Sequence, residues 1–282
     1  MPYAPSQAGI GRPFIELQTV DSTNNYALDR VHAGLAQHGT AFFAHQQVAG
    51  KGQRGKTWNA PRHSSLILSV VIDPGPLPYT SQFQLSACIA VSACEFFTAY
   101  AGDASCIKWP NDLYWQDRKA GGILIENILG GAKRTDDSIR MKDERPSSVI
   151  HHPSSSWQWA IAGIGINLNQ PSFAQELKNP VSLRQITGRE SDPVSMAKEL
   201  CTVIDKNFYQ LISEGFDPLY ARYQAHLYKR EQPVRFKKGA RVFEATVKGV
   251  LPDGRLLVQH ATEEEFASGE VEWLIPGKPA AG

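Results

Sequence analysis

Lys51, Arg54 and Lys56 place three positive charges within six residues, and Gly50, Gly52 and Gly55 stand among them. Glycine lets the main chain approach a ligand closely, so cations threaded with glycine suit a phosphate or another anion. Trp58 follows and offers a flat face on which a base could stack. Residues 50–57 match the phosphate-loop pattern G-x-x-x-x-G-K-[ST] letter for letter. That motif works only where a buried strand leads into a helix whose N-terminal amides face the phosphates. Here His45-Gln46-Gln47-Val48 is too polar for a buried parallel strand, and Pro61 with its polar neighbours opposes a helix starting at Lys56. The segment reads as a basic loop, and a solvated loop with Trp58 tucked into the core fits the same composition.

Other groups with chemical potential lie around it. Lys108-Trp109-Pro110-Asn111-Asp112 gathers a cation, an amide and a carboxylate at a tight turn. They can converge on a pocket, or an Asx cap can simply close the turn on itself. Lys119 precedes Ala120-Gly121-Gly122 and an apolar run, so it is either a lysine beside a close backbone approach or a solvated one beside a turn. Gly163-Ile164-Gly165-Ile166-Asn167 is an apolar strand whose two glycines either open its face or mark a bulge. Asp21-Ser22-Thr23-Asn24 has the chemistry of a helix N-cap.

The elements that must position these groups follow from periodicity. Residues 14–20 alternate as a half-buried strand does, and Ala27, Leu28, Val31 and Leu35 predict a short helix from Ser22. Strands are expected at 40–44 and 66–72, with a polar, glycine-rich loop over 46–62 between them. Residues 81–100 are apolar on most faces and predict a buried helix; 105–109 and 113–115 predict strands around the turn Pro110-Asn111-Asp112. Residues 122–129 and 157–168 predict two more strands, and the 27 polar residues from Gly130 to Ser156 between them predict a flexible insertion at a hairpin tip. Ala197, Leu200, Ile204, Phe208 and Leu211 mark an amphipathic helix over 194–212, and 216–227 predict another. From about Lys229 the chain changes to short strands with turn signals, at 234–237, 241–250, 255–260 and 271–274. That is the size of a small open barrel.

Composition bounds the function. The 282 residues suit about two domains. With 42% hydrophobic and 20% charged residues the chain can bury a core, and Lys+Arg 29 against Asp+Glu 28 argues against a protein that coats a polyanion. No apolar stretch reaches the ~18 residues needed to cross a bilayer, and the N-terminus lacks the apolar segment of a secretory signal. Cys88, Cys94, Cys106 and Cys201 form no C-x-x-C pair and read as thiols of a reducing compartment. The expectation is a soluble, cytoplasmic protein.

Each motif alone is weak; their order is specific. DSTN, then Gln47-x-x-Gly50-x-Gly52-x-x-Gly55-x-x-Trp58, KWPND, KAGGIL, GIGINLN and a small C-terminal β unit together resemble the biotin protein ligases, over about residues 20–275. The resemblance implies an α+β fold: a mixed, largely antiparallel sheet flanked by helices, like the catalytic core of class II aminoacyl-tRNA synthetases, over residues 1–230. An SH3-like barrel would occupy 231–282. It implies that biotin carboxylate attacks the α-phosphorus of ATP, giving biotinyl-5′-AMP and pyrophosphate, and that a lysine of a biotin carboxyl carrier protein then takes the biotin.

By the same resemblance Lys119 is the central lysine, against the biotin carboxylate and the α-phosphate, and Asp112 serves the acceptor amine. Ser22, Thr23, Asn24, Gln47, Gly50, Lys51, Gly121, Gly122, Gly163 and Gly165 line the biotin pocket. Lys51, Gln53, Arg54, Lys56, Trp58, Asn111 and Asn167 take the nucleotide, with Trp58 on adenine and the 50–58 loop folded over the adenylate. Mg²⁺ arrives on the ATP phosphates with no protein-only cage. Two features depart from the pattern: the loop, often G-R-G-R-x-G-R, has Lys51, Gln53 and Lys56 in place of arginines, and the insertion at 130–156 has no counterpart. Lysine keeps the charge but loses the bidentate fork, and Gln53 loses the charge, so a looser seal over the adenylate is expected. About twenty residues precede DSTN, too few for a helix-turn-helix, so a monofunctional ligase without DNA binding is expected, its oligomeric state left open between monomer and dimer. A lipoate–protein ligase, a non-catalytic biotin sensor and a phosphate-loop kinase are the rival readings.

Overall fold

The computed structural model describes residues 9–130 and 156–275. The insertion expected at 130–156 lies outside the described residues apart from its two ends.

Seven strands form the larger sheet: β1 (Phe14–Leu17), β2 (Ala41–Ala44), β3 (Ser65–Ile72), β4 (Ser105–Lys108), β5 (Asp112–Trp115), β6 (Arg118–Gly130) and β7 (Ser156–Asn167). Their order is β1-β2-β3-β7-β6-β5-β4. Only β1 and β2 run parallel; every other neighbouring pair is antiparallel, so the sheet is mixed and largely antiparallel, as expected. The apolar run of β3 is buried along its whole length because β2 and β7 flank it and both its faces are covered.

Five helices accompany the sheet: α1 (Thr23–His32), α2 (Gln82–Ala101), α3 (Leu183–Thr187), α4 (Pro193–Glu214) and α5 (Asp217–Ala225). The core under the sheet joins Leu66, Leu68, Val70, Ile164 and Ile166 to Leu85, Ile89 and Phe97 of α2 and to Leu200, Ile204 and Phe208 of α4. Each such side chain contributes roughly 1.5–3 kcal/mol through burial. Packed against the sheet with α4 and α5 alongside, α2 is apolar nearly all round; it has the length and hydropathy of a membrane span, but most of it is packed inside the protein.

The second sheet comprises β8 (Pro233–Lys238), β9 (Arg241–Val250), β10 (Leu256–Gln259), β11 (Glu263–Phe266) and β12 (Glu272–Trp273), in the order β11-β10-β9-β8-β12 and antiparallel throughout. Phe236, Val247, Leu256, Val258 and Phe266 fill its interior.

Several local expectations need correction. The first helix stops at His32 rather than reaching Leu35: Gly34 turns the chain at φ 70°, and Leu35 is 64% exposed. Ser22 occupies the N-cap position but makes no side-chain cap bond, while the Thr23 amide at the first helical position donates to Gln47. Asp112 is not in the turn; it opens β5 as the register partner of Lys108. Helix α3 and strand β11 were not foreseen. The first is one short turn held by a Ser182–Gln185 capping box, and the second buries only Phe266 among glutamates.

Candidate active site

The larger sheet has unlike faces. Opposite the main core, α1 covers Phe42, Val71 and Ile161 through Ala27. Strand alternation puts Ser69, Gly163, Gly165 and Gly122 on that same face, so beyond α1 it becomes a trough floored by glycine.

One row of the register crosses this floor. Lys108 pairs with Asp112, Asp112 with Gly122, Gly122 with Gly165, and Gly165 with Ile67. Directly opposite residues on one face lie within contact range. Lys119 joins the row through a bulge: Leu113 pairs with Gly121 but Tyr114 pairs with Lys119, so Ala120 is the extra residue. Its ammonium lies 2.5 Å from Asp112 Oδ1, with both side chains partly exposed. A Cβ on Gly122 would stand 3.5 Å from Asp112 Oδ1 and 3.6 Å from Lys119 Nζ, in the space before the pair.

At the α1 end the trough is lined with amides and hydroxyls. Gln47 Oε1 accepts from the Thr23 amide at 2.7 Å and from Thr23 Oγ1 at 3.0 Å. Ser69 Oγ lies 2.7 Å from Thr23 Oγ1 and 2.6 Å from Asn24 Oδ1, while Asn24 Nδ2 donates to Glu126 Oε2 at 2.8 Å. The glycines are there for closeness. A Cβ would come within 2.3 Å of Asn24 at Gly163, 2.6 Å of the Gly165 carbonyl at Gly121, and 2.2 Å of the Trp58 carbonyl at Gly50.

The basic loop doubles back on itself. Lys51 bridges Thr57 in antiparallel fashion, the Gly52 amide donates to the Lys56 carbonyl at 2.6 Å, and Gln53–Gly55 form a single 3-10 turn with Arg54 at φ 57°. No helix follows, which excludes phosphate-loop geometry. Trp58 packs on Gly165 and its buried indole N–H has no partner. Lys51 Nζ approaches Glu126 at 3.6 Å, and Arg54 Nη2 donates at 3.1 Å to Ser268 Oγ in the turn between β11 and β12.

Two amides are engaged within the protein. Asn111 Nδ2 donates to the Ile123 carbonyl rather than capping its own turn. Buried Asn167 donates to the Val181 carbonyl at 3.2 Å and accepts from Gln170 Nε2 at 3.2 Å. Sequence reasoning passed over two residues here: Ser69, a lone hydroxyl in an apolar strand, and Glu126, a lone charge in another; both carry the signal of a polar group inside an apolar run.

Comparison with known proteins follows the same division. Residues 16–139 match the biotin/lipoate A/B protein ligase family, and residues 231–273 match the biotin protein ligase C-terminal domain. The chain is 29% identical over 260 residues to the bifunctional ligase/repressor BirA of Escherichia coli, covering 90% of this chain and 72% of that one. It is 25% identical over 248 residues to the biotin–[acetyl-CoA-carboxylase] ligase of Paracoccus denitrificans, covering 86% and 92%. A biotin protein ligase from Aquifex aeolicus, solved in complex with biotin and ATP, superposes with a TM-score of 0.71 at 23% identity over 93% of this chain and 98% of that one.

Proposed function

This chain carries the catalytic and C-terminal domains of the biotin protein ligases, and from that footing we propose that it joins biotin to AMP at the expense of ATP and passes the biotin to a lysine of a carrier protein. The observation that carries the reading is the Asp112–Lys119 pair at the end of a glycine-floored trough whose other end is lined by Thr23, Asn24 and Gln47.

The chemistry asks for these groups. A carboxylate must approach a triphosphate, and fixed cations stabilise that approach more than they stabilise the separated reactants. Lys119 is the cation for the biotin carboxylate and the α-phosphate, with Lys51 and Lys56 on the loop above, while Arg54, assigned to the nucleotide by resemblance, is turned toward Ser268. Ser22, Thr23, Asn24 and Gln47 face the ureido end, and Gly122, Gly163 and Gly165 admit the ligand to the strand backbone, whereas Gly121, expected beside them, pairs with Leu113 and Ile166 and so lies on the core face. Asn111, Asn167 and Gln53 belong to the nucleotide side, and the loop excludes water from the adenylate. Trp58, whose indole N–H is unsatisfied, stacks on adenine. The site offers ammonium groups, amides and two carboxylates, Asp112 and Glu126, each already engaged, so Mg²⁺ fits as an ion carried by the phosphates, where it would supply charge neutralisation.

In the second step the acceptor amine must be neutral. A free lysine, with a pKa of ~10.4, is about one part in a thousand neutral near pH 7.4. Asp112 orients it or takes its proton. The partner is the biotin carboxyl carrier domain of a carboxylase, and ATP use suits a cytoplasmic setting. Residues 1–230 are assigned to catalysis and 231–282 to the SH3-like unit, a division supported by the start of the second sheet at Pro233.

The test is incubation with ATP, Mg²⁺ and labelled biotin, lipoate or neither. Biotin-dependent pyrophosphate release with biotinyl-AMP formation is expected. Lipoate dependence, turnover without either acid, or biotin binding without turnover would each refute the reading.

A further inference from the structure

Lys108 ends β4 in the same cross-strand row as Asp112 and Gly122, so its side chain leaves the sheet on the face that carries the Asp112–Lys119 pair. Among the described residues it has no ion pair; the nearest acid in its row, Asp112, is taken by Lys119. Its ammonium lies instead over two aromatic rings, 5.4 Å from the centroid of Tyr114 on β5 and 5.3 Å from that of Trp273 on β12. Aromatic faces steady a cation without using up its N–H donors. Burial pushes this ammonium down to about 8; Asp112 pulls it up, Lys119 and Lys56 push it down further, and Glu272 pulls it up. The ammonium groups of Lys119 on β6 and Lys56 on the basic loop thus bear on Lys108 beside one carboxylate already in use, while Glu272 is paired with Lys178 at 3.6 Å. Such a gathering is unfavourable until a polyanion enters it.

We propose that Lys108 is a further phosphate-binding cation of the site, steadied by Trp273 of the second sheet, and that it holds the β- and γ-phosphates as they depart as pyrophosphate. The inference rests on the adenylating function above. In that step a biotin carboxylate oxygen forms a bond to the α-phosphorus and the bond from that phosphorus to the bridging oxygen breaks. The electron pair stays on the bridging oxygen, so pyrophosphate leaves with added negative charge and no proton or oxidant is required. Lys119, one bulge away on β6, serves the α-phosphorus; Lys108, two strands further from Gly165, serves the leaving group. Nothing in the second step uses it, because pyrophosphate has by then gone.

Biotin-dependent exchange of labelled pyrophosphate into ATP isolates this contact. Lys108→Gln should raise the KM for pyrophosphate tenfold or more, leave the KM for biotin within twofold, and leave transfer from preformed biotinyl-AMP to a carrier domain unchanged. Lys108→Arg, which keeps the charge, should restore the pyrophosphate KM to within a few-fold. In the unaltered enzyme that KM should rise between pH 7 and 9 as Lys108 loses its proton amid Asp112, Tyr114, Lys119, Lys56 and Glu272, and the rise should vanish in Lys108→Arg. An unchanged pyrophosphate KM in Lys108→Gln, an equal loss in the transfer step, or no rescue by arginine would overturn the assignment. Absence of biotin-dependent exchange in the unaltered enzyme would instead overturn the ligase reading itself.

Discussion

Trp58 rests on Gly165 so closely that a Cβ at position 165 would stand 2.7 Å from the indole ring. A methyl group there must lift the ring from its seat. Gly165→Ala should therefore weaken ATP at least tenfold by titration calorimetry, and Trp58→Ala should weaken ATP more than biotin, by about 1–3 kcal/mol, as for a lost base stack. Equal losses for the two ligands would show that the ring does not belong to the nucleotide.

The 2.5 Å contact between Lys119 and Asp112 joins the two chemical steps in one pair. Lys119→Ala should nearly abolish adenylate formation while leaving the circular dichroism spectrum unchanged. Asp112→Asn should slow transfer from preformed biotinyl-AMP by a factor of about 10²–10⁴, the usual range for a lost acid–base group. Unaltered rates in either variant would remove these residues from their roles.

Gln53 sits in the 3-10 turn of the basic loop beside Arg54, whose guanidinium reaches Ser268 rather than the trough. With one loop charge absent at Gln53 and Arg54 directed to the turn between β11 and β12, less charge remains to hold the adenylate. Gln53→Arg should lower the release of free biotinyl-AMP in the absence of carrier, measured by rapid filtration. Release equal to that of the unaltered chain would count against a leaky loop.

A pH effect on stability is expected at the junction of the two sheets. Asp117 accepts from Tyr228 at 2.6 Å and pairs with Lys229 at 3.0 Å, and the Tyr228 bond chiefly holds its carboxyl below the usual range. A depressed carboxyl stabilises the fold above its unfolded value of about 3.9 and loses that contribution as pH falls through the lower folded value. Asp117 is half exposed, so Asp117→Asn should cost less than about 1 kcal/mol at pH 7. In urea titrations the difference should shrink below about pH 4; a constant difference down to pH 3 would point to packing instead.

The sequence revealed those elements whose burial is written in one period. The apolar run of β3 and the amphipathic stripe of α4 stand where periodicity puts them. Strand β11 did not show itself, because Glu263 to Glu265 owe their extended form to pairing with β10 and only Phe266 is buried. The site was legible as an ordered set of short motifs. How they meet was not: Lys108 and Asp112 become neighbours through antiparallel pairing, and Ser69 reaches Asn24 across 45 positions of chain. Register decides such contacts, and no local pattern encodes it.

Residues 119 and 122 are an odd number of steps apart, so an uninterrupted strand would send them to opposite sides of the sheet. The single supernumerary alanine at 120 corrects that parity. Deleting the alanine would leave two steps and keep Lys119 on its side, but pairing the same residues without the bulge would rotate the ammonium of Lys119 into the hydrocarbon layer beneath, and the enzyme would lose its chemistry by an error of counting, with its composition untouched.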